Sequence, residues 1–202
     1  NSTFMNNTIK NTDVGIHINS NDRISNISIA YNTFQNMTFD YDGFDIGIRI
    51  YNSSVINIDK NNFTEIGTVG IYLQKSNNLT ITNNTFNFIN LSRKSNYIVQ
   101  DTGQPICAVS VLEAYKTYLG RNLEKASDNI TNLTTYSSSN ITLTTNTYQN
   151  TACYLHTQGT TNIRNDIPSN YWFVSHQFPT FLFDKEELWL NSEFTNLSTK
   201  RS

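Results

Sequence analysis

At 202 residues, 37% hydrophobic and 12% aromatic, the chain has enough apolar mass for one domain with a genuine core. Only 15% of residues are charged and the formal net charge is -2, which excludes the basic footprint that a nucleic-acid partner demands. No apolar run approaches the roughly 20 residues of a membrane-spanning helix, so no membrane span is expected in this chain.

The first residues read as the tail of a repeat: Phe4, then the strand Gly15-Ile16-His17-Ile18. The chain opens on Asn1 rather than Met, inside that repeat, and upstream sequence is expected to precede it. A fuller copy follows, with Ile27-Ser28-Ile29, then Asn32-Thr33-Phe34, then Gly47-Ile48-Arg49-Ile50. The next runs Ile56-Asn57-Ile58, Asn61-Asn62-Phe63 and Gly70-Ile71-Tyr72-Leu73. Leu79-Thr80-Ile81 leads to Asn84-Thr85-Phe86, and Ile141-Thr142-Leu143 leads to Asn146-Thr147-Tyr148 and Ala152-Cys153-Tyr154-Leu155. Alternation of apolar and polar residues is the period-2 signal of strands, and a recurrence every 20 to 30 or so residues is that of a solenoid. Stacked coils place ring over ring and Ile over Ile at about 4.8 Å. Asn32, Asn61, Asn84 and Asn146, each two places before an aromatic, are then expected to form a buried amide ladder.

Between Phe86 and Ile141 the spacing is too long for one coil, so an insertion is expected at about residues 89–138. Cys107-Ala108-Val109 reads as a strand returning to the stack, which puts Cys107 and Cys153 in one inward column. They form either a disulfide or two buried thiols; no metal-ligand spacing surrounds them. Leu112 to Ala126 carries a weak helical spacing interrupted by Gly120. Residues 174–202 turn aromatic, with Asp184 and Glu187 patterned as a capping box, and read as a C-terminal cap or a partner contact.

This phrase resembles the right-handed parallel β-helix repeat superfamily, which includes pectate-lyase-like enzymes, viral tailspikes and periplasmic copper-maturation proteins. The likeness covers roughly residues 1 to 90 and 138 to 173. Asn170-Tyr171-Trp172 is similar to the Asn-Tyr-Trp that ends the helix in the copper-maturation relatives, and reads as the last rung, with Asn170 in the ladder. The expected fold is all-β: a right-handed parallel β-helix over residues 1–173 with an inserted segment and an aromatic cap. The resemblance specifies fold far better than function.

Several groups of residues invite chemistry. His17, Arg49, Tyr72 and Tyr154 read as outward positions of the Gly-Ile strands, flanked by Asn19, Tyr51, Gln74 and His156, and are candidates for gripping a glycan; the alternative is an ordinary solvated strand face. Asp40, Asp42 and Asp45 cluster around Gly43, with Asp13 aligned near Asp45. They are candidates for Ca²⁺ or, with Arg49, for acid–base work on a polysaccharide, against the plainer reading of a polar turn. No resident cofactor is expected beyond that Ca²⁺ candidate. His17, His156, His176, Met5 and Met37 are scattered and argue against copper. Asn-x-Ser/Thr acceptors fall at Asn1, Asn6, Asn26, Asn36, Asn52, Asn62, Asn78, Asn83, Asn90, Asn129, Asn132, Asn140 and Asn196. These serve glycosylation or simply turns.

The functional expectation is an extracellular, cell-surface or virion-surface module for attachment, displaying a glycan- or protein-binding face. The alternative is a polysaccharide lyase or glycoside hydrolase on the same scaffold. A tailspike-like protein would be a homotrimer.

Overall fold

The computed structural model describes residues 1–37, 45–89, 107–112, 138–151, 153–158 and 161–175. Apart from a 3-10 turn at Ser169–Tyr171, the elements described are strands, and their pairings are parallel.

Three sides recur in order. The first side holds β1 (Ser2–Met5), residues 24–30 of β3 (Val14–Ala30), residues 53–59 of β5 (Ile46–Asp59), β8 (Asn77–Thr82), β11 (Ser139–Thr144) and β14 (Thr161–Asn165). The second holds β2 (Thr8–Lys10), β4 (Thr33–Met37), β6 (Asn62–Ile66), β9 (Thr85–Ile89) and β12 (Thr147–Gln149). The third holds the opening residues of β3 and β5, then β7 (Val69–Gln74), β10 (Val109–Leu112), β13 (Leu155–Gln158) and β15 (Trp172–Ser175). Because β3 and β5 run through two sides, the first and third sides form one bent 10-stranded sheet, and the second is a separate 5-stranded sheet. Each strand pairs with its counterparts one coil away, which is the right-handed parallel β-helix.

Like residues stack within it. Ile27, Ile56, Leu79, Ile141 and Ile163 follow one another in register, as do Ile16, Ile48, Ile71, Val109 and Leu155. Phe34, Phe63 and Phe86 are fully buried and stack with ring centroids 4.7 and 4.8 Å apart, so the strand spacing sets the ring spacing. Each ring reaches across the coil to a glycine. A Cβ on Gly47 would lie 2.6 Å from the Gly70 carbonyl oxygen and 2.7 Å from the Phe63 ring, which is why the third side opens with Gly15, Gly47 and Gly70.

Beside the rings runs the amide ladder. The Asn61 Oδ1 accepts from the Asn32 backbone N–H at 2.9 Å and from its Nδ2 at 3.0 Å, and Asn84 serves Asn61 in the same way. Asn146 continues the ladder below Asn84, and Asn7 begins it above Asn32. Asn170 does not join. It is exposed, in the 3-10 turn that delivers the chain to β15 on the third side, so its likeness to the repeat is one of spacing alone. A second ladder occupies another corner: the Ser53 N–H donates to Ser76 Oγ and the Ser76 N–H to Ser138 Oγ, all three buried.

The corners share a left-handed backbone. Asn26, Val55, Asn78, Asn140 and Asn162 have φ between 53° and 58° and follow one another in register. So do Asn6, Tyr31, Lys60, Asn83 and Thr145, and again Asn11, Asn36, Glu65, Phe88 and Asn150. Asn tolerates this conformation better than other side chains because its short amide bonds locally. Much of the Asn excess is therefore corner chemistry.

Cys107 and Cys153 form a disulfide with Cα atoms 4.5 Å apart, both buried. The strand after Cys107 spans Val109–Leu112, with Val109 beside Ile71 and Leu155, so both cysteines stand two residues ahead of the position the repeat phrase suggests. Both shift together, and the bridge survives. The remaining insertion residues, the helical spacing after Leu112 and residues 176–202 of the aromatic terminus lie outside the described residues.

Candidate functional site

The third side runs, in register, His17, Arg49, Tyr72, Ser110 and His156. His17 is exposed, and its pKa is lowered by partial burial and by the nearby Arg49 charge. Arg49 is half-buried, its guanidinium carbon 6.0 Å from the Tyr72 ring centre. Tyr72, Ser110 and His156 are each only 2% exposed. Burial drives the His156 pKa down to about 3, so this imidazole is neutral across the physiological range.

Tyr154 is not in this column. Its ring stacks between Tyr148, at 4.3 Å, and Tyr171, at 4.2 Å, extending the aromatic pile begun by Phe34. With Leu155 level with Ile71, Tyr154 stands level with Gly70, at the corner that faces the rings. A two-residue slip preserves strand alternation, so the repeat phrase alone could not detect it. The expected glycan grip on this side thus loses Tyr154 to the core and Tyr72 to burial, leaving His17 and Arg49 with Asn19 and Tyr51.

The carboxylate cluster also changes character. Asp40 and Asp42 lie outside the described residues, Asp13 is exposed, and Asp45 is 2% exposed. The Asp45 carbonyl accepts from the backbone N–H groups of Thr68 and Val69, and its carboxyl lies against Gly67. It is a buried corner residue, where an open, solvated turn was expected. Among the described residues no three His, Cys, Asp or Glu side chains group around a common ion position.

Of the acceptor asparagines, Asn6, Asn26, Asn36, Asn78, Asn83 and Asn140 sit exposed at left-handed corners, and Asn1 and Asn62 are exposed elsewhere. Asn52 is only 6% exposed, so a sugar there would require the corner to open. Asn90, Asn129, Asn132 and Asn196 lie outside the described residues.

The second side, which the repeat phrase does not single out, is open to water through all five of its strands, as is the outward column Thr3-Ser28-Asn57-Thr80-Thr142-Arg164 of the first side. The second side's outward positions form two columns, Thr8-Thr33-Asn62-Thr85-Thr147 and Lys10-Gln35-Thr64-Asn87-Gln149, each residue half or fully exposed. All but Lys10 are uncharged hydroxyl or amide side chains. Two of the three left-handed corner columns form its rims, and each of these rims carries an exposed aromatic: Tyr31 at 50% and Phe88 at 40%. The signal was readable, since the residues either side of every inward ring in Asn-Thr-Phe-Gln, Asn-Asn-Phe-Thr, Asn-Thr-Phe-Asn and Asn-Thr-Tyr-Gln are polar and uncharged.

The family described as a right-handed β-helix region matches residues 1–104. The chain belongs to that family. No curated protein and no solved structure matches it. Among the described residues no helix is long and apolar enough to cross a membrane.

Proposed function

We propose that this β-helix is a non-catalytic attachment module of an exterior protein, a rigid rod that holds a glycan along one of its sides. The open second side carries the reading: a flat parallel sheet whose solvent face is a regular comb of uncharged hydroxyl and amide groups. Such groups match a hydroxyl-rich ligand, which both donates and accepts, better than a charged one. The buried bridge between Cys107 and Cys153 supports an oxidising, exterior location, where such bonds persist. Rigidity supports the same reading. Asn and ring ladders fix each coil against the next, so a ligand meets an already ordered surface and binding costs little conformational entropy.

Binding assays on immobilised polysaccharides, followed by analysis of the supernatant for new reducing ends and unsaturated sugars, test this. Retention without products is expected. Product formation would instead make the chain a hydrolase or lyase, and retention of nothing would remove glycan attachment altogether.

A further inference from the structure

Two side chains on the second side are costly where they stand. Tyr31 and Phe88 have φ of 56° and 53°, a conformation that disfavours aromatic residues, at corner positions whose columns otherwise include Asn6 and Asn83, or Asn11, Asn36 and Asn150. Both are also largely open to water, so neither is compensated by full burial in the core. A strained and exposed aromatic, at a site where the neighbouring coils carry polar residues (Asn6 and Lys60 beside Tyr31, Glu65 and Asn150 beside Phe88), points to a contact made outside the fold.

Their placement gives that contact a shape. Tyr31 leads into β4 and Phe88 is the last residue but one of β9, with β6 between, so the two lie about 10 Å apart along the rod and about 16 Å apart across the sheet. Between these opposite rims lie Gln35, Asn62, Thr64 and Asn87, none of them charged. Two of the amides are steadied locally: the Asn150 Nδ2 donates to Asn87 Oδ1 at 3.0 Å, and the Thr64 hydroxyl donates to Asn62 Oδ1 at 3.4 Å. Tyr31 is held as well, its hydroxyl accepting from the Lys60 ammonium at 3.0 Å.

We infer that the second side binds a neutral, extended polysaccharide diagonally, with Phe88 and Tyr31 as stacking platforms and the intervening amides and hydroxyls meeting the sugar hydroxyls. This rests on the attachment reading above and assigns its face and ligand class. Hydrogen bonds on an open face exchange with water for little net gain, so the two rings must supply most of the affinity.

The test uses the full chain against a neutral β-glucan and a neutral mannan, with polygalacturonate and heparin as anionic probes. Phe88→Asn places a residue suited to the left-handed corner, so its thermal midpoint should stay level or rise. Its retention on the neutral polymer should nevertheless fall about ten-fold, the usual worth of one stacked ring. Tyr31→Ala should act likewise, and Arg49→Ala, on the third side, should change nothing. Neutral binding that survives both aromatic substitutions, or is lost with Arg49→Ala, would overturn the assignment of this face while attachment stands. Binding confined to the anionic probes would overturn the ligand class, and no binding to any probe would remove the attachment reading itself.

Discussion

Asn61 is 1% exposed and touches three coils. Its Oδ1 takes two donors from Asn32, and its Nδ2 donates to the carbonyls of Ile29 and Asp59 and to Asn84 Oδ1. Asn61→Leu keeps the branching at Cγ, adds bulk, and leaves buried backbone groups without partners, at about 1–3 kcal/mol each. A loss of roughly 3–5 kcal/mol in urea unfolding is expected. Val55 presents the reverse case. It is a β-branched residue at φ 53°, 48% exposed, in a column that is otherwise Asn26, Asn78, Asn140 and Asn162. Val55→Asn should raise stability by about 1 kcal/mol by relieving that strain, measured as a higher urea midpoint at unchanged slope. His156 sets a pH dependence. Its folded pKa of about 3 lies below the ordinary 6.5, so the unfolded chain binds the proton more readily in between. The stability is complete above pH 6.5 and is lost as pH falls from there toward 3, at up to about 1.4 kcal/mol per unit. The thermal midpoint should drop across that window, and His156→Gln should flatten the drop.

At the scale of strands and corners, the bridge between Cys107 and Cys153 ties β10 to β13 across 46 residues of sequence. In the chain-entropy account a loop of that length is worth about 4 kcal/mol, so Cys107→Ala with Cys153→Ala should lose a comparable amount in denaturant unfolding under non-reducing conditions. The inward columns were legible in the sequence because each coil repeats Ile-x-Ile and Asn-x-Phe at positions the pleat sends to one side. The slip that carries Tyr154 into the ring pile was not, because alternation has a period of two and a shift of two leaves it intact. The burial of Tyr72 was equally out of reach, since an outward strand position says nothing of what covers it. Nor does a residue type announce its φ. Phe88 and Val55 read as ordinary apolar strand residues, and their left-handed backbone emerges only when a coil is closed against its neighbours.

Over the whole rod, stability is close to a sum of coil–coil contacts, so protection should grade along the axis. The residues of β1 are exposed throughout, whereas those of β7 are buried throughout. Native-state hydrogen exchange should find the slowest amides in β5, β6 and β7, each paired along both edges. Uniform protection would mean that the solenoid opens as one unit.

The left-handed corners carry one last consequence. Asn78 and Asn140 are both acceptor asparagines and occupy the same corner of consecutive coils, with Asn140 Nδ2 donating to Asn78 Oδ1 at 3.1 Å. Successive coils are only about 4.8 Å apart, narrower than a branched oligosaccharide. Any decoration along that edge would therefore be self-limiting: a sugar tree on either asparagine would shade the other, and a variant keeping only these two acceptors, expressed in a glycosylating host, should show at most one sugar tree per molecule in its intact mass.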